Sequence, residues 1–234
     1  YFEAKAALFT SEYADSAFIN IDTSYGATLA ERTSLALTTI SRSNPKAHWH
    51  FTNITPTQQG AEFSIRGTGG ILIESSTSLH GGYNADNLLL AVALAHESGV
   101  DPIELAAVIP QLSGAPGRLD AVVLGKPFKA FVDYAHSPDA VTNVLSAARE
   151  FTAGKIIAVL GCGGDRDATK RPLMGAALSK GCDIAIFTSD NPRSESPAAI
   201  LREMVSSLDV KAPSAIIEDR AAAISHAVSV AKAG

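Results

Sequence analysis

The sequence has few of the features that mark oxidised, secreted or membrane proteins. Its 234 residues include only two cysteines, Cys162 in a glycine-rich turn and Cys182 just before an apolar run. Two such cysteines are more often reduced structural residues than a disulfide or a metal site. No apolar run approaches the roughly 18 residues that a membrane span needs, and the amino terminus lacks a signal-peptide layout. We therefore expect a cytoplasmic protein with no membrane partner.

Basic residues are scarce as well, and they are not clustered. The net charge is −5, and no lysine and arginine stripe provides the electrostatic footprint of a nucleic-acid surface. Hydrophobic residues make up 46% of the chain and charged residues 18%, which is typical of a folded chain with one large domain or two small ones. We expect no nucleic-acid partner and a monomeric protein.

Apolar spacing in the first half predicts a mixture of helices and strands. The predicted elements are helices over about 3–15, 25–33 and 84–99, a helix that starts at Pro102 with Asp101 as its cap, strands at 17–22 and 35–40, and short antiparallel strands between 47 and 79. The stretch 113–120 contains two glycines and a proline, which is typical of a linker. We therefore predict a domain boundary between residues 114 and 115.

Strands and helices alternate regularly in the second half, which predicts parallel strands with right-handed helical crossovers. The predicted elements are strands at 128–133, 155–160, 183–188 and 214–218, and helices at 138–150, 170–181, 197–208 and 219–233. Ser137 and Ser196 each precede a proline, so both are expected to cap the helix that follows. The fold class is therefore α/β.

Charged residues follow two of these strands. GCGGDRD (161–167) follows one and SDNPRSESP (189–197) follows the next, and ligands of open α/β sheets bind beyond such carboxyl ends. The residues expected to meet on one small polar molecule are Asp165, Arg166, Asp190, Asn191 and Arg193. Guanidinium groups grip carboxylates and aspartate accepts an amine, so this set suits an amino acid. A tight turn with solvated charges is an alternative for the first motif, and an ordinary Asn-Pro turn for the second.

Four further residues suit a nucleotide. His136 lies just before a capped helix whose free N–H groups favour phosphate, and Asp133 at the preceding strand end suits ribose hydroxyls. Asn84 and Asn87 lie three residues apart in the first turn of a helix, where their amides match the edge of adenine. A surface histidine and a simple helix cap at Asn84 are the alternatives. The pattern alone singles out nothing about Lys5.

A dinucleotide-dependent oxidoreductase and a non-catalytic binding module are the competing functions. The first requires G-x-G-x-x-G, but Arg166 occupies the sixth position of GCGGDRD, and no acidic residue closes the next strand. The second would keep the ligand contacts without turnover.

Six segments together resemble the Mur ligases, in order and over essentially the whole chain. They are YFEAK, GGYNADN, GAPGRLD, VDYAHSPDA, GCGGDRDATKRPLMG and DNPRSESP. The resemblance implies that residues 1–114 are the carboxyl-terminal portion of a central ATPase domain. It implies that 115–234 are a truncated Rossmann-like domain with a mostly parallel sheet, which binds the amino acid. We expect an incomplete chain, inactive alone, because a Walker-type G-x-x-G-K-[ST] loop is missing from the sequence.

The resemblance also implies a reaction and its ligands. ATP phosphorylates a carboxylate, the amine of an amino acid attacks the acyl phosphate, and phosphate leaves as an amide forms. The implied substrates are UDP-N-acetylmuramoyl-L-alanyl-D-glutamate and meso-diaminopimelate, in peptidoglycan precursor synthesis, with ATP and Mg²⁺ as cofactors. DNPR accompanies diaminopimelate in this family; the L-lysine-adding enzyme is the alternative, and the folylpolyglutamate synthase branch fits the motifs less well.

Residue roles follow from the same resemblance. Lys5 matches a lysine that is carbamylated and then binds Mg²⁺ as a carboxylate, and His136 lies next to the γ-phosphate; both are implied to be catalytic. The implied ATP contacts are Asn84, Asn87, Arg118, Asp133 and His136. The implied amino-acid contacts are Arg166, Asp190, Asn191 and Arg193.

Overall fold

A computed structural model describes residues 1–57, 59–122 and 125–233. The chain divides into two compact units, Tyr1–Gly114 and Ala115–Gly234. The division falls where the linker-like stretch predicts it. The assignment of the first unit to ATP binding and of the second to amino-acid binding stays a prediction.

The first unit is built on one five-stranded sheet, whose strands lie in sequence order. The strands are β1 (Ser16–Asn20), β2 (Ala36–Ser41), β3 (Trp49–Thr57), β4 (Gly60–Arg66) and β5 (Leu72–Thr77). β1, β2 and β3 pair in parallel, whereas β3, β4 and β5 pair antiparallel. The antiparallel group predicted between 47 and 79 is therefore confirmed, and it continues the parallel strands in the same sheet.

The first unit also contains helices, and the last two of those named next contribute buried side chains to the core of this sheet. They are α1 (Phe2–Ala6), α2 (Ser24–Arg32), α3 (Gly82–Glu97) and α4 (Pro102–Val108). Leu89 of α3 and the strand residues Trp49 and Ile65 are fully buried in one apolar cluster. The predicted cap of α4 is confirmed, because the Asp101 carboxylate accepts the N–H of Ile103 at 2.8 Å.

The helix predicted over 3–15 is wrong beyond its first turn, because α1 ends at Ala6. The N–H of Phe9 bonds to the carbonyl of Ala6 at 2.9 Å, a turn geometry, and the Thr10 hydroxyl donates to the carbonyl of Ala7 at 3.2 Å. A hydroxyl side chain that bonds to nearby backbone competes with helix continuation. Apolar spacing does not report this competition.

The second unit contains a three-stranded parallel sheet and a separate hairpin. Its strands are β6 (Asp120–Val122), β7 (Ala130–Val132), β8 (Ile157–Leu160), β9 (Ile184–Phe187) and β10 (Ala215–Ile216), and its helices are α5 (Pro138–Glu150), α6 (Lys170–Gly181), α7 (Pro197–Met204) and α8 (Arg220–Val230). The parallel sheet has the order β10-β9-β8, with every residue of β9 buried. Leu178 of α6, Phe187 of β9 and Met204 of α7 form its core. The regular alternation predicted from residue 138 onward is confirmed.

The strand predicted at 128–133 pairs differently from the expectation. β7 pairs antiparallel with β6, a strand that the apolar pattern does not predict. The connection from Val122 to Ala130 spans only the seven residues 123–129. Parallel strands need a crossover of about a dozen residues or more, so a connection of this length selects a hairpin.

The two predicted serine caps differ in outcome. The Ser137 hydroxyl accepts the N–H of Ala140 at 3.3 Å at the start of α5, so this cap is confirmed. Ser196 makes no side-chain cap bond at the start of α7, so that cap is wrong. Over the described ranges, no helix has the length and apolar character to cross a membrane.

Candidate functional site

Two turns at the carboxyl ends of β8 and β9 lie against each other. We call residues 161–167 the glycine turn and residues 190–195 the DNPR turn. The N–H of Gly164 donates to the carbonyl of Asn191 at 2.8 Å, and the Ser194 hydroxyl donates to the Asp165 carboxylate at 2.6 Å. Because β8 and β9 are parallel neighbours, their carboxyl ends deliver both turns to one edge of the sheet.

The charged residues of these turns are partly engaged with each other. Arg193 donates from Nη1 to the carbonyl of Gly164. A guanidinium has five N–H donors, so this bond leaves four for a ligand. The side chains of Arg166, Asp190 and Asn191 belong to exposed residues of the same turns. The structure therefore gathers the predicted amino-acid contacts, and their role in binding stays a prediction.

One residue of each turn has a left-handed backbone. Asp165 has a φ of 52° and Arg193 a φ of 49°, which few residues other than glycine adopt. Such conformations cost on the order of 1–3 kcal/mol each and persist only where the surroundings hold them. Both occur beside the bonds that join the two turns, so the contact between the turns fixes the direction of the Arg193 side chain.

The close contact between the turns predicts that alanine is tolerated at Gly163 but destabilises the fold at the neighbouring Gly164. A Cβ on Gly164 would lie 1.9 Å from the carbonyl oxygen of Pro192, whereas a Cβ on Gly163 would lie 3.1 Å from Nη1 of Arg193, the end of a flexible side chain. We expect Gly164→Ala to lower the free energy of unfolding by about 1–3 kcal/mol, as overpacking does. Gly163→Ala should cost much less.

Urea unfolding of the two alanine variants beside the wild type tests this difference. A lower midpoint in Gly164→Ala alone is the expected result. Equal midpoints in the two variants would show that the turns separate freely.

An ion pair between the buried Arg171 and Glu195 of the DNPR turn links that turn to the glycine turn. Arg171 of α6 is only 2% exposed, and its guanidinium forms two bonds to Glu195, of 2.7 and 2.8 Å, and one to Glu203, of 2.7 Å. Glu195 also accepts the N–H of Asp165 through Oε1. Hydrogen bonding to Arg171 holds the pKa of Glu195 below its usual range. Arg171 and Glu195 were not among the predicted site residues.

The sequence carries a signal for Arg171 but none for its partners Glu195 and Glu203. Arg171 is the second residue of α6, and a cation at a helix amino terminus opposes the macrodipole, so it needs a strong partner.

Arg220 is a further residue that was not predicted but lies close to the predicted amino-acid contacts. Its Nη1 lies 3.8 Å from Oδ1 of Asp190 and donates to the carbonyl of Ser189 at 3.2 Å. Arg171 and Arg220 lie too far along the chain from Glu195 and Asp190 for sequence spacing to indicate either pair.

The predicted nucleotide residue Asp133 stabilises a turn in the structure. Its Oδ2 accepts the N–H of Leu119 at 2.9 Å and its Oδ1 accepts the N–H of Ala135 at 2.8 Å. Leu119 has a left-handed φ of 45°. Asp133 therefore ties the strand end of β7 to the segment that precedes β6, and its predicted contact with ribose stays a prediction.

Arg118 and His136 both lie close to the ring of Tyr134. The guanidinium carbon of Arg118 is 5.8 Å from the Tyr134 ring centroid, and the His136 ring centroid is 5.2 Å from it. Nδ1 of His136 lies 2.9 Å from the carbonyl oxygen of Tyr134. A carbonyl only accepts, so Nδ1 carries the proton and Nε2 remains for a ligand. Tyr134 was not predicted, and it brings these two predicted residues together.

The predicted residues of the first unit have different environments. Asn84 is buried and donates from Nδ2 to the carbonyl of His80 at 2.8 Å, whereas Asn87 is exposed on α3. The helix-cap alternative for Asn84 is wrong, because the N-cap of α3 is Gly81 and no described side chain caps this helix. An adenine contact stays a prediction for both asparagines. Lys5 is exposed on α1, with Nζ 4.8 Å from the ring centroid of Tyr1.

The described ranges contain no group of three or more His, Cys, Asp and Glu residues placed to hold a metal ion. Lys5, once carbamylated, would supply a single oxygen-donor group. Mg²⁺ is usually bound by one or two carboxylates together with phosphates and water, an arrangement that a search for three clustered side chains does not test. The predicted metal role of Lys5 stays a prediction.

Both cysteines are free, and burial governs their chemistry. Burial raises the pKa of the Cys162 thiol to about 11 and that of the Cys182 thiol to about 11. At pH 8 roughly one such thiol in 10³ is a thiolate, against about a quarter for a free cysteine. We expect iodoacetamide to label the folded chain on the order of 100-fold more slowly than the urea-unfolded chain. A mass-spectrometric time course checks this, and equal rates in the two states would contradict it.

Two domain families match the chain, and both belong to one class of ligase. The Mur ligase middle domain matches residues 1–95, and the glutamate ligase domain of Mur ligases matches residues 117–234. The chain belongs to the Mur ligase family.

Curated relatives with about 40% sequence identity share one name. The UDP-N-acetylmuramoyl-L-alanyl-D-glutamate--2,6-diaminopimelate ligase of Streptomyces coelicolor is 42% identical over 240 residues, covering 100% of this chain and 47% of the relative. The ligase of the same name from Synechococcus elongatus is 41% identical over 237 residues, also with 100% and 47% coverage. The chain spans about half the length of these curated relatives.

Solved structures agree with this fold. A ligase structure of the same name is 34% identical with a TM-score of 0.68, and it covers 100% of this chain and 49% of the other. Folylpolyglutamate synthase of Mycobacterium tuberculosis, in complex with ADP and AMPPCP, is 20% identical with a TM-score of 0.72, with 98% and 52% coverage. The second likeness shows the fold alone.

Proposed function

We propose that this chain is the catalytic and amino-acid-binding part of an ATP-dependent ligase. The ligase joins meso-diaminopimelate to UDP-N-acetylmuramoyl-L-alanyl-D-glutamate in peptidoglycan precursor synthesis. The observation that carries the proposal is the junction of the glycine turn with the DNPR turn, which holds Arg193 beside Asp165 in a chain 42% identical to a ligase of that name. ATP and the UDP-linked substrate belong to the cytoplasm, so the proposal places the enzyme there.

The two ends of diaminopimelate call for different partners. Each end carries a carboxylate and an ammonium, so a site must pair charges of both signs at a fixed separation. Arg193 suits the distal carboxylate because its guanidinium keeps four donors and its backbone is held. Arg166 suits a second carboxylate, and Asp190 and Asn191 suit an ammonium.

The nucleotide contacts in the second unit belong to the hairpin and the start of α5. His136 offers Nε2, Arg118 offers a cation, and Asp133 lies just after the end of β7. We assign the γ-phosphate to His136 and the rest of the nucleotide to Arg118 and Asp133, with Asn84 and Asn87 at adenine. When bound, Mg²⁺ would neutralise phosphate charge, with the Lys5 carbamate as one ligand.

The reaction then follows from the bonds that must change. A carboxylate oxygen of the UDP-linked substrate attacks the γ-phosphorus of ATP, and ADP leaves. The free amine of diaminopimelate attacks the acyl phosphate carbon, and the tetrahedral intermediate expels phosphate as the amide forms. The residues of this chain position the two reactants, and positioning alone is worth several powers of ten in rate.

The proposal is tested with a full-length enzyme that contains this chain. We expect one ADP and one phosphate for each amide formed, and no amide when ATP, the UDP-linked substrate or the amino acid is omitted. Mass spectrometry identifies the product. ATP hydrolysis without amide formation, or reduction of a nicotinamide cofactor instead, would overturn the proposal.

The 234-residue chain by itself should not turn over. Its sequence contains no G-x-x-G-K-[ST] loop to hold the phosphates of ATP. We expect phosphate release by the purified chain to stay at background, and release above background would contradict this expectation.

A further inference from the structure

Among the residues that the structure describes, Glu195 is the one carboxylate that bonds to both turns of the candidate site and to the buried Arg171. Its Oε1 accepts from the Asp165 N–H and from Nη2 of Arg171, its Oε2 accepts from Nη1 of Arg171, and its own N–H donates to the Pro192 carbonyl at 2.9 Å. It thus bonds to the glycine turn, to its own turn and to helix α6. Asp165 and Arg193, which both have a left-handed backbone, lie one in each of the turns that it joins.

Arg171 is the fixed end of this arrangement. It is 2% exposed, and its two terminal nitrogens form three bonds to carboxylates. A guanidinium buried in this way needs its carboxylate partner, because an unpaired charge there is strongly unfavourable. The pair therefore keeps the Glu195 carboxylate in one place, and the carboxylate keeps the Asp165 N–H in one place.

We propose that Arg171 and Glu195 are positioning residues for amino-acid recognition. They hold the glycine turn against the DNPR turn, so that Arg193 is presented to the distal carboxylate of the incoming amino acid. This inference rests on the proposed function. Both carboxylate oxygens of Glu195 and both terminal nitrogens of Arg171 are already bonded, so we assign the pair an action through the backbone at Asp165 and through the bond between Ser194 and Asp165, without contact to the substrate.

Glu203 supplies a matched control. Glu203 lies on α7, and it accepts at 2.7 Å from Nη1 of Arg171, the nitrogen that also donates to Glu195. Within the described residues, no bond joins its side chain to either turn. Glu195→Gln and Glu203→Gln each remove one of the negative charges that pair with Arg171. Only Glu195→Gln also alters the acceptor of the Asp165 N–H.

Steady-state kinetics of the full-length enzyme separate positioning from plain stability. We expect Glu195→Gln to raise the KM for meso-diaminopimelate on the order of tenfold to a hundredfold, because small displacements of a binding group have effects of this size. The KM for ATP should stay within about twofold, and kcat should change much less than the KM for the amino acid. Glu203→Gln should leave all three within about threefold.

A second variant tests the same positioning role if Glu195→Gln folds poorly. Arg171→Lys keeps the charge but cannot form the forked pair, and it should raise the same KM in the same direction. Equal effects of Glu195→Gln and Glu203→Gln, or a loss confined to kcat, would overturn the positioning role. If the wild type forms no amide from diaminopimelate, the proposed function fails instead, so the two failures are distinguishable.

Discussion

Replacing Arg193 with alanine in the full-length enzyme is expected to abolish the preference for meso-diaminopimelate over L-lysine. The wild type should discriminate by about 2–5 kcal/mol, or roughly 30-fold and upward in kcat/KM, because a guanidinium built to meet a carboxylate is left unpaired by lysine. Without Arg193, the diaminopimelate reaction should fall toward the level of the lysine reaction, and the lysine reaction should change little.

The measurement is kcat/KM for both amino acids in the wild type and in Arg193→Ala. Arg202 provides the control, since it is an exposed arginine on the neighbouring helix α7, outside both turns. Arg202→Ala should keep the preference. A wild type that prefers lysine, or an Arg193→Ala variant that loses both substrates equally, would remove the assigned role and favour the lysine-adding alternative.

Replacing Lys5 with alanine is expected to lower kcat of the full-length enzyme on the order of 10²-fold or more. The reason is the predicted carbamate: an uncharged lysine amine adds CO₂ to give an anion, and a nearby Mg²⁺ favours that anion. Loss of such charge stabilisation is worth several kcal/mol. A small carboxylate added to the variant should restore part of the activity.

A second readout reports the modification itself. The full-length enzyme incubated with ¹³C-bicarbonate should show a carbamate carbon resonance that Lys5→Ala lacks. Lys46→Ala serves as the control, because Lys46 is another exposed lysine of the first unit. Full activity of Lys5→Ala, or a carbamate signal that survives the substitution, would exclude Lys5 from the mechanism.

The parts of the fold that follow local rules were predictable from the sequence. Helix α5 begins at Pro138 behind a serine cap, and α6 spans the residues that periodicity assigns to it. The glycine turn and the DNPR turn follow consecutive parallel strands, so topology brings them together. These features depend on residues that are close in sequence or on the order of strands alone.

The features that the sequence did not predict depend on competing hydrogen bonds, on connection length or on partners that are distant in sequence. The first helix stops at Ala6 because turn and hydroxyl bonds replace the helical ones, and apolar spacing carries no information about that balance. The hairpin of β6 with β7 follows from connection length rather than from composition. The pairing of Arg171 with Glu195 joins residues 24 apart, and only packing of α6 against the DNPR turn reveals it.

The left-handed residues show why the candidate site is more specific than its motifs. A glycine-rich turn and an Asn-Pro turn are each common, and either alone suits an ordinary connection. Asp165 and Arg193 both adopt a conformation that costs free energy, and each is held by bonds to the opposite turn. Strain that is maintained by such contacts is characteristic of functional sites.

The most direct test of the acyl-phosphate ligase is the fate of a labelled carboxylate oxygen. UDP-N-acetylmuramoyl-L-alanyl-D-glutamate with ¹⁸O at both oxygens of the reacting carboxylate is converted by the full-length enzyme with ATP and meso-diaminopimelate, and the released phosphate is examined by mass spectrometry. If the carboxylate attacks ATP and phosphate later leaves the tetrahedral intermediate, one labelled oxygen passes into each phosphate. Phosphate without ¹⁸O, formed together with the amide, would contradict the account.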